Sequence, residues 1–585
     1  MAVYYEGKIK KALCGALLLL SLMALSSSVA AADGGDAPPS AQVSPSTACN
    51  DTTDPTFCRT VLPPRGSSDL YTYGRFSVAR SLESARRFAA LVDRYLARHR
   101  GLSPGAVGAL RDCQLMSELN IDFLASAGDA LRSTDTLLDP QADDVHTLLS
   151  AILTNQQTCL DGLQAASSAW SERDGGLAEP IANGTKLYSL SLSLFTRAWV
   201  PTAKGSKHGG GGNKKPHHGH GHGKKPPAAA TANRRGLFDV TDDEMARRMA
   251  IEGPERTVAV NGVVTVDQGG AGNYTTIGDA VAAAPNNLDG STGHYVIYVL
   301  AGVYDENVVV PKHKKYIMMV GDGISHTVIT GNRSVVDGWT TFNSATFAVV
   351  GQGFVAMNMT FRNTAGPWKH QAVALRSGAD LSAFYGCSFE AYQDTLYTHS
   401  LRQFYRGCDV YGTVDYVFGN AAVVFQGCAF LSRLPMPGQS NTVTAQGRSD
   451  PNQNTGTSIQ GCSLLAAPEL AAAASAGGYR TLTYLGRPWK NYSRTVVMES
   501  FVGDLVDPAG WMPWAGDFAL DTLFYAEYNN SGPGADTSRR VTWPGFHVLG
   551  TGADAGNFTV TSMVLGDNWL PQTGVPFTSG FITSN

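Results

Sequence analysis

Several chemistries are missing from this 585-residue sequence before any fold is considered. It has no Cys-x-x-Cys pair, so a zinc site lacks its usual ligand spacing. It has no His-Glu-x-x-His and no Gly-x-Ser-x-Gly elbow; the nearest stretch, Gly323-Ile-Ser-His-Thr, disfavours a serine esterase. Past the N-terminal region no eighteen consecutive residues are apolar, so no membrane span is expected in the mature chain. A net charge of −4 and a pI near 6.4 give no cationic footprint, so nucleic acid is not an expected partner. With 43% apolar residues the chain is neither disordered nor fibrous, and its length allows two or three domains.

What is present begins with Lys8, Lys10 and Lys11, the apolar run Ala12 to Leu25, and small residues from Ser26 to Ala32. Residues 1–31 read as a secretory signal peptide. Cys14 would leave with it, and the remaining eight cysteines are an even number in an exported chain, which suits disulfides.

Residues 49–200 read as an antiparallel helical bundle. In Asp144 to Leu163 the residues Val145, Leu148, Leu149, Ile152 and Leu160 share one stripe, and Pro104 and Pro140 stand where helices would start. Residues 201–248 break the pattern with Gly209 to Gly212, a His-Gly tract from His217 to Gly223, and dibasic pairs at Arg234-Arg235 and Arg247-Arg248. This is a cationic spacer; a repeat of His and Gly offers no fixed metal geometry.

From residue 257 to 585 the composition turns to Val, Ile, Tyr, Phe, Thr, Asn and Gly in short runs, which is strand-forming. The segments around Cys387, Cys408, Cys428 and Cys462 are similar to one another, at offsets of 21, 20 and 34. A period near 20 without intervening helix indicates a parallel β-helix, the last offset carrying an insertion. Residues one coil apart lie about 4.8 Å apart on neighbouring strands, which suits Cys387–Cys408 and Cys428–Cys462 bridges and equally Cys408–Cys428. The Gly351-x-Gly353-x-x-Ala356 stretch is read as a coil turn, since Phe354 to Phe361 is strand-like and no helix follows.

The same period applies to polar residues that interrupt apolar strands. Gln371 and Gln393 are 22 apart, and Asp394 and Asp415 are 21 apart. Two amides and two carboxylates are therefore expected on adjacent coils, as a site rather than scattered ladder residues.

Gly302-Val-Tyr-Asp-Glu, Gln371-Ala-Val-Ala-Leu, Tyr392-Gln-Asp-Thr-Leu, Asp415-Tyr-Val-Phe-Gly-Asn and Leu485-Gly-Arg-Pro-Trp resemble, in order, the recurrent motifs of the plant pectin methylesterases. The resemblance implies a right-handed parallel β-helix that hydrolyses methyl esters of polygalacturonate, with no metal or organic cofactor. It implies Asp415 as the nucleophile, Asp394 as the acid and then the base, and Arg487 as the partner of Asp415. Gln371 and Gln393 match the stabilisers of the oxyanion, and Thr341, Gln371, Arg487 and Trp489 are expected at substrate. Two neighbouring acids do not both ionise cheaply, and a cation beside one decides which keeps its proton.

Thr53-x-Pro55-x-x-Cys58, Ala109-Leu-Arg-Asp-Cys113 and Leu153 to Asp161 resemble the plant invertase and pectin methylesterase inhibitor family. That resemblance implies Cys49–Cys58 and Cys113–Cys159 bridges and a pro-region that silences the enzyme. The expected partners are methylated homogalacturonan, a processing protease acting at Arg234-Arg235 or Arg247-Arg248, and inhibitor proteins. The expected location is the plant cell wall, and Asn183, Asn332 and Asn491 offer glycosylation sites. The alternatives left standing are an inhibitor or wall-binding protein with a dead catalytic half, or another β-helix pectin enzyme cutting glycosidic bonds.

Overall fold

The computed structural model describes residues 38–97, 100–166, 176–200, 258–476 and 481–582. The signal-peptide segment 1–31, the spacer 201–248 and both dibasic pairs lie outside the described residues.

The N-terminal half is helical. Two short helices, α1 (Pro45–Cys49) and α2 (Pro55–Val61), precede four long ones: α3 (Leu70–Ala97), α4 (Pro104–Leu131), α5 (Asp139–Ala165) and α6 (Ala178–Trp199). The Ser103 hydroxyl accepts the Ala106 amide, and Pro104 stands at the first helical turn, where a missing N–H costs nothing. Pro140 holds the equivalent place in α5. Helices α3 and α5 each pack against α4 and α6, closing a four-helix bundle around Val78, Leu124, Leu149, Ile152 and Phe195. Cys49–Cys58 ties α1 to α2 and Cys113–Cys159 ties α4 to α5, with Cα separations of 5.6 and 4.6 Å. Among the described residues no helix is long and apolar enough to cross a membrane.

The C-terminal half winds into three parallel sheets of eleven, seven and eight strands, and each turn of chain adds one strand to each sheet. This is a parallel β-helix. Strands stack in strict register, as where Leu375 pairs Leu396 and Leu396 pairs Val417, so inward side chains form continuous ladders. Rings of Phe354, Phe384, Tyr405 and Phe425 run up the interior, with centroids 5.9, 4.7 and 4.6 Å apart. Asn183, Asn332 and Asn491 are exposed.

The four cysteines of the β-helix form another such ladder, and the structure corrects the expectation that they are bridged: Cys387, Cys408, Cys428 and Cys462 are buried free thiols. Each immediately precedes a strand residue paired in register with the next coil, Ser388 with Asp409, Asp409 with Ala429, and Ala429 with Ser463. Their side chains therefore point the same way. Parallel Cβ atoms at a strand spacing of about 4.8 Å lie beyond the roughly 3.8 Å that a disulfide requires.

The bundle seats on the outer face of the seven-stranded sheet. Inward residues of that sheet, such as Leu375, Leu396 and Val417, fill the coil, while Tyr397 and Phe418 face out and meet Met116 and Leu119 of α4. Around this apolar patch runs a polar rim. Thr158 meets His399 at 2.9 Å, Asn420 donates to Thr154 at 2.9 Å, and Gln453 donates to the Ser150 carbonyl at 2.8 Å. Arg402 reaches Asp143 at 3.0 Å and Asp144 at 2.8 Å.

Candidate active site

Asp394 and Asp415 each sit two residues ahead of a strand of the seven-stranded sheet, Leu396–Thr398 and Val417–Gly419. Since Leu396 pairs with Val417, the two acids occupy equivalent places on adjacent coils. Both adopt left-handed backbone, φ +63° and +52°, which aspartate tolerates better than most side chains but which still costs about 1 kcal/mol or more. The neighbouring coil holds each in place. The Asp394 amide donates to the Val414 carbonyl at 3.1 Å, and the Asp415 amide donates to Thr442 Oγ1 at 2.8 Å.

The two carboxyl groups have different surroundings. Arg487 grips Asp415 with a two-pronged fork, Nε to Oδ1 at 2.8 Å and Nη2 to Oδ2 at 2.7 Å. Thr442 Oγ1 donates a third bond, to Oδ1 at 2.7 Å. Burial works against the charge on Arg487, and the Asp415 carboxylate outweighs it, leaving the guanidinium pKa raised. Among the described residues no group hydrogen-bonds the Asp394 carboxyl. Burial first, and the nearby Asp415 second, push its pKa well above the ordinary carboxylate range, against a smaller pull from Arg487. One acid of the pair is forked by a cation, and burial beside it disfavours the charged form of its neighbour.

Both acids open into a cavity of about 540 Å³ that also takes in Gln371, Gln393, Thr341 and Trp489. Among the described residues the two glutamine amides have no internal partner, so their N–H groups are available to the cavity. Trp489 stands edge-on to Phe418 at 5.9 Å, and the guanidinium of Arg487 lies 4.5 Å from the ring centre of Trp514. The amides, acids, arginine and tryptophan singled out in the sequence are therefore together in space.

The sequence model of the pectinesterase family matches residues 263–567, and that of the plant invertase/pectin methylesterase inhibitor family matches residues 44–194. A probable pectinesterase/pectinesterase inhibitor of Arabidopsis thaliana is 54% identical over 92% of this chain and 95% of its own. A pectinesterase/pectinesterase inhibitor of Prunus persica is 45% identical over 81% and 83%. The chain belongs to the pectinesterase family. The solved pectin methylesterase from carrot is 55% identical, with a TM-score of 0.53, and matches over its whole length while covering 56% of this chain. That relative corresponds to the β-helix alone, so a pectinesterase β-helix stands as a fold without the bundle.

The helical half supplies one wall of the pectinesterase cavity. Thr158, Asp161, Gly162 and Ala165 of α5 and Asp112 of α4 line it opposite the catalytic-side residues. Asp112 accepts from Thr340 Oγ1 at 2.6 Å and from the Asn343 amide, and burial pushes its carboxyl up to about 7. Arg376, buried beneath, lies 3.4 Å from the Phe342 ring centre.

Sequence reasoning missed Thr442, Trp514, Asp112 and Asp161. Thr442 is in register with Asp415, but the loop 433–440 lengthens that coil to 27 residues and hides the period. Asp112 and Asp161 lie inside the very stretches that resemble the inhibitor family, Ala109 to Cys113 and Leu153 to Asp161, and nothing in the sequence pattern sets them apart there.

Proposed function

We propose that the chain hydrolyses methyl esters of polygalacturonate and that its helical half covers the site until the two are separated. The observation that carries this reading is the unequal acid pair: Asp415 forked by Arg487, and Asp394 buried and unpaired one coil away, where burial and Asp415 disfavour its charged form.

Asp415 Oδ attacks the ester carbonyl carbon, and the Gln371 and Gln393 amides donate to the oxyanion that forms. As the C–OCH3 bond breaks, Asp394 gives its proton to the departing methoxide, so methanol leaves and an acyl-enzyme remains. Asp394, now a carboxylate, takes a proton from water, whose hydroxide attacks the acyl carbon. The acyl–Asp415 bond breaks, the uronic acid is released, and Asp394 ends protonated as it began. Arg487 keeps Asp415 oriented and compensates its charge at the start and end of the cycle. Trp489 offers a flat face to a sugar ring, and Thr341 lies at the rim.

Asp112, Thr158 and Asp161 stand where a polymer would pass, so the docked chain is a silent precursor in this reading. Its two disulfides fit export to the plant cell wall, and cleavage in the spacer 201–248 would free the β-helix. The deciding assay measures methanol and new reducing ends released from methylated pectin by the β-helix portion. Methanol without reducing ends is expected; reducing ends without methanol would make it a glycosidic-bond enzyme.

A further inference from the structure

Arg448 and Arg494 line a second cavity, of about 980 Å³, at the other end of α5 from the acid pair. No residue lines both cavities; α5 presents Asp143 to this one and Asp161 to the catalytic one, roughly 27 Å apart along its axis. Arg448 spends Nε and Nη2 on the Gln453 and Pro451 carbonyls, and Arg494 spends Nε on the Thr455 carbonyl at 2.7 Å. Among the described residues neither arginine forms an ion pair, and Arg448 Nη1 and both Nη groups of Arg494 have no hydrogen-bond partner. The acids on the wall are committed elsewhere, Asp143 to Arg402 at 3.0 Å and Asp554 to Thr551 at 2.7 Å. Arg197 is likewise taken by Asp51 and the Ala48 carbonyl. Burial pulls the Arg448 guanidinium pKa down to about 10 against a smaller opposing pull from Asp450; burial and the Arg448 charge pull Arg494 well down. Two neighbouring guanidiniums without a counter-charge are unfavourable, and a bound anion relieves them.

The rest of the wall says which anion fits. The space is far larger than a bare oxyanion needs, a water molecule taking only about 30 Å³. The Phe524 and His547 rings, 4.8 Å apart, offer flat faces, and Asn452 and Asn557 add amides. Carboxylates carried on sugar rings suit charge, rings and volume together, and galacturonan stripped of its methyl esters supplies them. We propose that the Arg448–Arg494 cleft is an exosite that grips the free carboxylates of de-esterified galacturonan, away from the scissile ester. The choice of ligand rests on the esterase reading; the unpaired guanidiniums do not. Both arginines belong to the β-helix, so the enzyme would stay attached to polymer it has already de-esterified while its catalytic cavity takes up fresh ester.

The test is calorimetric binding of unmethylated trigalacturonate to the full chain, whose bundle walls the catalytic cavity. Saturable binding is expected, at least about tenfold tighter than that of the fully methylated trimer or of inorganic sulfate at the same ionic strength. Arg494→Gln should weaken it about tenfold or more, the size of one charge-assisted hydrogen bond. Because Arg494 also holds the Thr455 carbonyl, a second variant leaves both arginines in place. Ser562→Glu, at an exposed position on the cavity wall, sets a carboxylate there and should weaken binding by a similar factor. Trp489→Ala, in the catalytic cavity, should leave the affinity within about twofold, since the sites are distant. Absence of binding, equal binding of the methylated trimer or of sulfate, or unchanged affinity in either cleft variant would each overturn the proposal. So would loss of binding in Trp489→Ala, which would put the trimer in the catalytic cavity. Absence of methanol release by the β-helix portion would instead overturn the esterase reading and leave the binding result standing.

Discussion

Replacing Asp112 by Asn should change how the docking of the bundle responds to pH. Asp112 is 3% exposed against Thr340, Asn343 and Arg376, and burial raises its pKa to about 7. In an undocked bundle the same carboxyl faces water and titrates near its ordinary value of about 3.9. Docking therefore takes up a proton between those values, and the Asp112 contribution weakens as pH rises through that window and levels off above it. From pH 5 to pH 7 this amounts to a factor of about fifty, or roughly 2 kcal/mol. His146 and His399, pushed down to about 4 and about 3 by burial, act in the opposite sense, since docking strips protons from any histidine it buries. Comparing wild type with Asp112→Asn at each pH cancels them. The assay is methanol release by the uncut chain, normalised to the β-helix portion at the same pH, which reports the open fraction. The ratio of open-to-closed constants, wild type over variant, should rise about fiftyfold from pH 5 to pH 7. A ratio that stays flat would show that Asp112 does not take up a proton on docking.

Alkylation of the unfolded mature chain without reductant should label four cysteines, Cys387, Cys408, Cys428 and Cys462, and leave four bridged; fewer labels by mass spectrometry would contradict the thiol ladder. Arg402 is 7% exposed and serves Asp380, Asp143 and Asp144 together, so Arg402→Met leaves three clustered carboxylates, two of them half-buried, without their shared cation. The urea midpoint should fall by an amount equivalent to about 3 kcal/mol, and a loss below about 1 kcal/mol would mean the cluster is not coupled through this arginine. Asp394 must carry a proton to release methanol, and its pKa is raised, so the alkaline limb of the kcat/KM profile of the β-helix should fall where pH passes that elevated value. A profile whose alkaline limb survives unchanged in Asp394→Glu but shifts with an unrelated residue would remove Asp394 from the acid role.

Much of the fold was legible because a β-helix repeats itself. In-register stacking turns a spacing of 21 residues into adjacency, which is why Asp394 and Asp415 could be brought together on paper. The cysteines obey the same spacing, yet spacing says nothing of direction. Their Cβ vectors run parallel, and the bridge expected between them does not form. Thr442 escaped notice because the loop at 433–440 shifts its place in the count. The roles of the two acids came from resemblance; periodicity alone is symmetric between them, and it takes Arg487 and Thr442 on Asp415 to break that symmetry. The docking face left no periodic trace. Asp112 and Asp161 acquire meaning only when a helix face and a sheet face, each folded on its own pattern, are set against each other.

The most direct test of the account is methanol release by the β-helix portion carrying Asp415→Asn, a change that keeps the side chain's shape and removes its nucleophilic charge. Turnover of methylated pectin should fall by at least about a thousandfold while the circular dichroism of the β-helix is unchanged. Turnover within about tenfold of wild type, with the fold intact, would contradict attack by Asp415.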